Sequence, residues 1–524
     1  MSRTTFYQQT LVAVDPDEIE LAKDSFEYGL REVLPRMVSL ADFSGFHSDA
    51  LGASSWCPLV LLAMLLLQFR FGLSDRELIE GCMRNLGYRY ALGLGRNVKT
   101  PKVSSLRRFR KWVREEKGDD WLMKVSLKLP KNDGLIPDSG QQAVDSTDTD
   151  CRGAVIDSYN LVARGIQQVI RVVARCLDIR PTELALKWGM SKYLPRSVKG
   201  GAGIDWSNEA ARNALMTQEI RDADRLPVLI RSLGVALPEE VLGEPLELLG
   251  KVARQDVEEM PDGTFRIAQR TAPGRIVSIT DPEASHGRKS SSKAITGFKT
   301  HIMGTIASQF VTAIEMTGAG THDAKPTVAL IEQADEAGLK PHEALGDCAY
   351  GTGANMRACK EVGVDMRTKL PTPSHKCLTK REFEINLDKM EVTCPNGVTT
   401  TMHRSVKDPA GSDDTVEKFS FPKGTCQGCP LRDKCSAQTA KGAGRTVVLS
   451  RYEPEIQESQ RYNATPESKV TLKTRSAVER LLSHLVRMGM RHARFFGMHM
   501  VQFQAFLTAA AYNVQRYITL TATT

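Results

Sequence analysis

The chain has 524 residues, of which 41% are hydrophobic and 25% charged, and 70 basic against 62 acidic residues give a net charge of +8. That is the composition of an ordinary globular protein, long enough for roughly two to four domains with sizeable cores. An odd count of 11 cysteines argues against a secreted disulfide framework, and the longest apolar run, the eleven residues Cys57 to Leu67, is too short to span a bilayer.

The N-terminus, MSRTTFYQQT, lacks the apolar core of a signal peptide, so a reducing, cytoplasmic setting is expected. Residues 1 to about 125 read as helical throughout. Ser25 to Leu34 is a short amphipathic stretch that Pro35 should end. Pro58 to Phe71 is an apolar helix, followed by the turn Gly72-Leu73-Ser74. Ser74 can cap the next helix, SDRELIEGCM, with Glu77 three residues on completing a capping box. Ser104-Ser105 should cap LRRFRKWVREE, which sets Arg107, Arg108, Arg110, Lys111 and Arg114 around an apolar seam of Leu106, Phe109 and Val113. Short helices ending in a strongly basic one suit a DNA-binding module, although an ordinary helical domain with a charged surface has the same outline.

Pro130 to Gly140 reads as a turn-rich linker and Gln142 to Thr147 as a short strand. Asp157 to about Gly250 is helical, broken by Gly200-Gly201-Ala202-Gly203. Strand signals resume with TFRIAQR, RIVSIT, GFKTHIMGTIA and QFVTAIEMTG, the last two patterned as a hairpin. Asp323 should cap a helix running to about Ala337. His342 to Asp347 is a strand, Ala354 to Val362 a helix, and Val364 to Leu370 another strand, which together predict a mixed α/β sheet. Cys377 to Gly444 reads as irregular. From Pro466 the chain is helical again, with Val478, Leu481, Leu482 and Leu485 at i, i+3, i+4, i+7 spacing.

Three basic stretches stand out. Lys99 to Lys111 carries six basic residues and no acid. His286 to Lys299 carries Arg288, Lys289, Lys293 and Lys299 without an acid. The last 54 residues carry seven Lys or Arg, including Arg475, Arg487, Arg491 and Arg494. These are solvated faces or the footprint of a nucleic-acid binder. Glu479 is the sole acid of the last stretch. One carboxylate kept in so basic a surface is odd unless it has a task, such as holding a divalent metal against DNA. Asp145, inside a strand in AVDST, and Asp347, ending a strand in EALGDCAYG, can join it. Three carboxylates make a hard-oxygen set suited to Mg²⁺ or Mn²⁺, though each alone is more often a turn or cap residue.

The order AVDST, GDCAYG, RSAVERLLSHLVRMGMRHARFFG, QFQAFLTAAAYNVQR resembles the DDE transposases of bacterial insertion sequences, in particular the eleven-eighty-two group within the four/five superfamily. SWCPLVLLAMLLLQFRFGLSDRELIEGC and SSLRRFRKW resemble their helical N-terminal domain. The resemblance implies an RNase H-like (retroviral-integrase-like) α/β core with Asp145, Asp347 and Glu479 as a triad holding two Mg²⁺ or Mn²⁺ ions. It implies cleavage at the ends of the element and strand transfer into target DNA. It also implies duplex DNA as partner, a homodimer on DNA and a place at the bacterial nucleoid. Arg107, Arg108, Arg110, Lys111, Lys299, Arg475, Arg487, Arg491 and Arg494 are then the expected DNA contacts. Asp148 and Asp150 are nearby competitors for the first carboxylate, but only Asp145 matches the family position. The related tyrosine, arginine, glutamate, lysine signature is incomplete: Arg475 is in place, whereas Leu472 and Val486 stand where the Tyr and Lys would be, and Arg487 would substitute.

The expected division is a helical N-terminal domain over 1–125, the core over 139–375 with a helical insert over 151–262, a cysteine-bearing insert over 376–445 and closing helices over 446–524. Cys394, Cys426, Cys429 and Cys435 can make a tetrahedral Zn²⁺ site in a polar segment read as lacking a core, with Cys377 as a spare. Free thiols or an iron–sulfur cluster are the alternatives. Two rivals remain for the whole chain. One is a catalytically inactive, transposase-derived DNA-binding protein. The other is a tyrosine recombinase, whose HxxR…Tyr order is mimicked by His484, Arg487 and Tyr512 or Tyr517.

Overall fold

The computed structural model describes residues 21–46, 56–95, 98–137, 140–195, 197–270, 272, 274–288, 294–370, 378–408, 415–435 and 444–522. Lys289, Lys293 and Cys377 lie outside the described residues.

The chain begins with helices α1 (Phe26–Met37), α2 (Pro58–Arg70), α3 (Asp75–Arg84), α4 (Leu86–Ala91), α5 (Val103–Trp112) and α6 (Trp121–Asn132). Ser74 caps α3 as its spacing predicts: its hydroxyl accepts from the Glu77 N–H, and Glu77 accepts from the Ser74 N–H. Pro35 does not end α1 but sits in its last turn, where it forfeits one N–H bond to the preceding turn and only two helical residues follow. α5 starts at Val103 with no side-chain cap, not at Ser104-Ser105, and α6 runs through Pro130 into the stretch read as linker. α2 is apolar on every side and wholly buried from Pro58 to Phe69. Among the described residues no single helix is long and apolar enough to cross a membrane.

β1 (Gln141–Asp150) is the central strand of a six-stranded sheet and is longer than its sequence suggested. After it comes the helical insert, chiefly α7 (Ser158–Cys176), α8 (Glu209–Arg231) and α9 (Glu239–Gln255), with its own apolar core and a small hairpin of β2 (Val257–Glu259) and β3 (Phe265–Ile267). The stretch RIVSIT is not a strand. The sheet resumes with β4 (Ser285–Arg288), β5 (Ala294–Thr305), β6 (Val311–Gly318), β7 (Glu343–Gly346) and β8 (Asp365–Thr368). β5 pairs antiparallel with β1 on one side and with β6 and β4 on the other. β7 pairs parallel with the far side of β1, and β8 parallel with β7. The crossovers of the parallel half contain α10 (Thr327–Glu336) and α11 (Gly353–Glu361).

Beyond the sheet, the cysteine-bearing segment is not irregular. β9 (Glu384–Asn386), β10 (Glu391–Thr393) and β11 (Thr399–Thr400) form one small sheet, and β12 (His403–Lys407), β13 (Thr415–Ser420) and β14 (Thr446–Leu449) another. Nor does it lack a core: Phe383, Val392, Phe419, Phe421, Val447 and Leu449 pack together. The aromatic and β-branched residues here are spaced too widely to stand out among polar neighbours in the sequence. The chain closes with α12 (Glu453–Ala464), α13 (Pro466–Thr474), α14 (Ser476–Arg487) and α15 (Met498–Ala522).

α15 decides how these parts are joined. Its run from Val501 to Val514 is almost wholly buried, and it shares one apolar core with α2, α6, α14 and one face of the sheet. The N-terminal helices are therefore packed on the sheet through α15. The other face of the sheet is covered by α10 and α11.

Glu219 of α8 is fully buried, and neither carboxyl oxygen has a hydrogen-bond partner. Burial, with Asp157 adding to it, pushes its pKa up to about 9. The fold holds the protonated form, so the associated stability is present below the ordinary carboxylate range and is lost as pH rises toward 9. Glu219→Gln should therefore melt at a higher temperature than the parent at pH 8 and at nearly the same temperature at pH 4, which calorimetry at the two pH values would check.

Candidate active site

The sheet brings two of the three carboxylates together by register alone. Gln141, Gln142 and Ala143 of β1 lie opposite Glu343, Ala344 and Leu345 of β7, and the same register carried two residues further sets Asp347 level with Asp145. Neighbouring strands are about 4.8 Å apart, which puts the two backbones within reach of a shared ion. Asp145 lies on the same face as Ala143, the face that α14 covers. Asp148 falls on the opposite face and is buried there. Asp150 is exposed at the strand end, where His492 Nδ1 approaches its carboxylate to 3.3 Å.

α14 supplies the third carboxylate. Val478, Leu481, Leu482 and Leu485 form its buried stripe, as their spacing predicts, and Glu479 beside them stays exposed. Arg475, one turn earlier, joins the two ends of the site. Its Nη1 donates to Asp145 Oδ2 at 3.2 Å and its Nη2 to Glu479 Oε1. Burial raises the Asp145 carboxyl above its ordinary value; the Ser146 N–H and Arg475 oppose this, and Asp347 adds to it. Asp347 Oδ1 accepts from the Ala349 N–H at 2.8 Å, so part of its capacity closes the turn after β7.

A fourth carboxylate stands close by. Asp323 does not cap α10, which begins at Thr327 after Pro326. It accepts instead from Ser146 Oγ at 3.1 Å and pairs with Lys299 Nζ at 2.8 Å. Lys299, expected on DNA, has its charge met inside the protein by Asp323 and the Thr321 carbonyl. The Tyr350 phenol is buried, and its burial together with Asp323, Asp145 and Asp347 holds its pKa well above the ordinary value, so it stays protonated. No spacing in the sequence marks Asp323. Tyr350 is within GDCAYG, but only burial distinguishes it from a turn residue.

The expected DNA contacts divide. Arg110 is buried, bonded to Asp75 at 2.7 Å and Gln68 at 3.0 Å, so it does not face solvent as its helix position suggested. Arg107 and Lys111 are exposed on α5, and Arg108 with them. Arg487 and Arg491 are exposed after Glu479. Leu472, in the place of the signature tyrosine, is buried, so it serves packing. Tyr512 and Tyr517 are both buried, their hydroxyls bonded to the Gln309 carbonyl and to Asp133, which leaves neither placed as a nucleophile.

Among the described residues no three His, Cys, Asp or Glu side chains stand arranged to hold a metal ion as they lie. At the carboxylates the Arg475 guanidinium takes the place between Asp145 and Glu479. Cys394, Cys426, Cys429 and Cys435 line one cavity of about 30 Å³, and the Arg445 N–H donates to Cys426 Sγ at 3.4 Å.

A family model described as "Transposase DDE domain" matches residues 393–518, the stretch that carries Glu479, and one described as "Transposase domain" matches residues 16–112. They indicate a transposase of the DDE type. No curated protein and no solved structure matches the chain. The mixed sheet and the DDE-domain match are together consistent with an RNase H-like fold. Transposases of this type act on DNA and use divalent metals. The two matches leave residues 113–392 uncovered, and with them Asp145 and Asp347, so the assignment of those two rests on the geometry of the sheet.

Proposed function

We propose that this chain is an insertion-sequence transposase that cuts DNA at the ends of its element and joins them to a target, with Asp145, Asp347 and Glu479 as its metal-holding triad. One observation supports this reading: the Arg475 guanidinium bridges Asp145 and Glu479, far apart in sequence, and Asp347 lies level with Asp145 on the neighbouring strand. An arginine balancing acidic groups stands in for the charge that divalent cations bring. Carboxylate oxygens are the donor type that Mg²⁺ or Mn²⁺ takes, and ions held there would replace Arg475 between Asp145 and Glu479. Bound there, two such ions would activate water, and then the freed 3′-hydroxyl, for attack on phosphorus. The protein's part is to hold Asp145 on a rigid central strand, to fix Asp347 through the Ala349 N–H, and to bring Glu479 in on α14. Displaced from the carboxylates, Arg475 would be free to meet a DNA phosphate. Binding as a homodimer and residence at the nucleoid belong to the same proposal. Duplex DNA copied from the flanks of the coding region should be nicked in Mg²⁺ and left intact in EDTA; no cutting under any divalent metal would favour the inactive descendant.

We also propose one structural Zn²⁺ on Cys394, Cys426, Cys429 and Cys435, supported by the shared cavity. Because the segment has its own apolar core, the metal would stiffen it rather than fold it. Elemental analysis should find about one zinc per chain, lost in Cys426→Ser, Cys429→Ser with the remaining fold intact. Metal-free protein of unchanged stability would show the four to be thiols only.

A further inference from the structure

A cleft of about 850 Å³ opens between the N-terminal helices and the segment joining α14 to α15. Arg76 of α3, Arg107, Arg110 and Lys111 of α5, and Arg114 just beyond α5 form one wall; Arg152, Arg494 and Phe495 form the other. Asp75 and Glu77 are the acids in its lining, and Glu115, outside the lining, pairs with Lys111 at 3.8 Å and Arg114 at 3.4 Å, so seven cations face three carboxylates. Asp75 is already committed to Arg110 and Arg107, and Glu77 to the Ser74 N–H. Arg152 and Arg494 bond backbone carbonyls of Arg494 and Leu73 and lie over Phe496 and Phe69, and among the described residues neither has a carboxylate partner. A partly enclosed concentration of like charge is costly to hold unless an anion enters it.

The cleft is also tied rigidly to the carboxylates. Asp150 N–H donates to the Arg491 carbonyl at 2.8 Å and the Ala493 N–H to the Asp150 carbonyl at 2.9 Å, which stitches the far wall to the end of β1. From Asp145 to Arg152 the chain runs along β1 and just beyond it, so the cleft lies about 20 Å from Asp145 at 3.3 Å per residue. That is about six base pairs of DNA at 3.4 Å rise.

We infer that this cleft grips one strand of duplex DNA through its phosphates, about six base pairs from the bond being cut. The inference rests on the reading of the chain as a DNA-acting enzyme, and it makes the DNA site composite: the N-terminal helices supply one wall and the chain around Arg152 and Arg494 the other. It also joins two of the basic stretches that are almost 400 residues apart in the sequence.

The test reads binding, not cutting. Full-length chain carrying Glu479→Gln is titrated with a fluorescein-labelled 30-bp duplex copied from the flank of the coding region, across a series of salt concentrations. Arg76→Ala with Lys111→Ala, both exposed, should weaken binding about tenfold or more and make the log–log salt slope shallower by about two. The control pair Arg171→Ala with Lys187→Ala, exposed on the helical insert, should change neither. Should the alanine pair melt early, Arg76→Gln with Lys111→Gln replaces it. An unchanged slope in the cleft pair, or an equal change in both pairs, overturns the inference. Chain with Glu479 intact that shows the same binding pattern yet cuts no DNA in Mg²⁺ or Mn²⁺ would fail the DDE reading alone.

Discussion

Replacing Glu479 by Gln should lower Mg²⁺-dependent cutting of flank DNA on the order of 10²–10³-fold or more, while DNA affinity stays within about twofold. The argument begins with the position of the side chain. Glu479 is 55% exposed, and its one described partner is Arg475. The fold loses little when a surface carboxylate becomes an amide, so stability should move by about 0.5 kcal/mol or less. The chemistry loses much more. An amide oxygen is a weak ligand for a hard cation, and the site falls from three negative charges to two while Arg475 remains. Affinity should hold, because removing a negative charge from a basic surface does not weaken attraction to phosphate. Asp145→Asn should have the same effect on cutting, but at some cost in stability, since Asp145 is largely enclosed and bonded to both Ser146 and Arg475. Gel assays of nicking in Mg²⁺ and Mn²⁺, run beside binding isotherms, separate these outcomes. Cutting at the parent rate by Glu479→Gln would remove Glu479 from the triad and with it the main support for the proposed mechanism.

Much of the helical framework was legible because its signals are local. The Ser74–Glu77 box, the apolar run of α2 and the stripe on α14 each lie within one or two helical turns of sequence. The strands β5 and β6 announced themselves by alternation, while β1, covered on both faces, was read short because its buried residues do not alternate with polar ones. What stayed hidden depends on tertiary neighbours. Nothing near Asp323 in the sequence shows that Lys299 and Ser146 will reach it, so it read as a helix cap. Arg110 looked like its neighbours on α5, but Asp75 and Gln68 draw it inward. The cysteine segment read as irregular because three of its strands, β9, β10 and β11, are only two or three residues long, below the length at which a two-residue period stands out. The meeting of Asp145 with Asp347 was suggested by each ending or occupying a strand, yet the level at which they meet follows only from the parallel register of β1 and β7.

Gly304→Val should both destabilise the protein and disable the site, and it tests how Glu479 is placed. Gly304 lies opposite Ala143 on β5, at a register irregularity, beneath α14. A Cβ there would come within 2.5 Å of Leu481 Cδ1 and 2.8 Å of the Phe310 carbonyl oxygen. The backbone carbonyl cannot yield as a side-chain end can, so the helix must lift or the sheet must bend. Overpacking of this kind costs about 1–3 kcal/mol, and a branched side chain should lie at or above the upper end. Leu481 is two residues from Glu479 on the same helix, and its movement carries Arg475 and Glu479 away from Asp145. A displacement of about 1 Å at a reacting centre can cost about 10²-fold in rate. Gly304→Ala should show a smaller shift of the same sign in both melting temperature and cutting rate. Measured below the melting point of the variant, the loss of cutting should persist after folding is accounted for. A Gly304→Val protein that melts and cuts like the parent would show that α14 does not depend on this close approach, and that something other than Gly304 sets the height of Glu479 above the sheet.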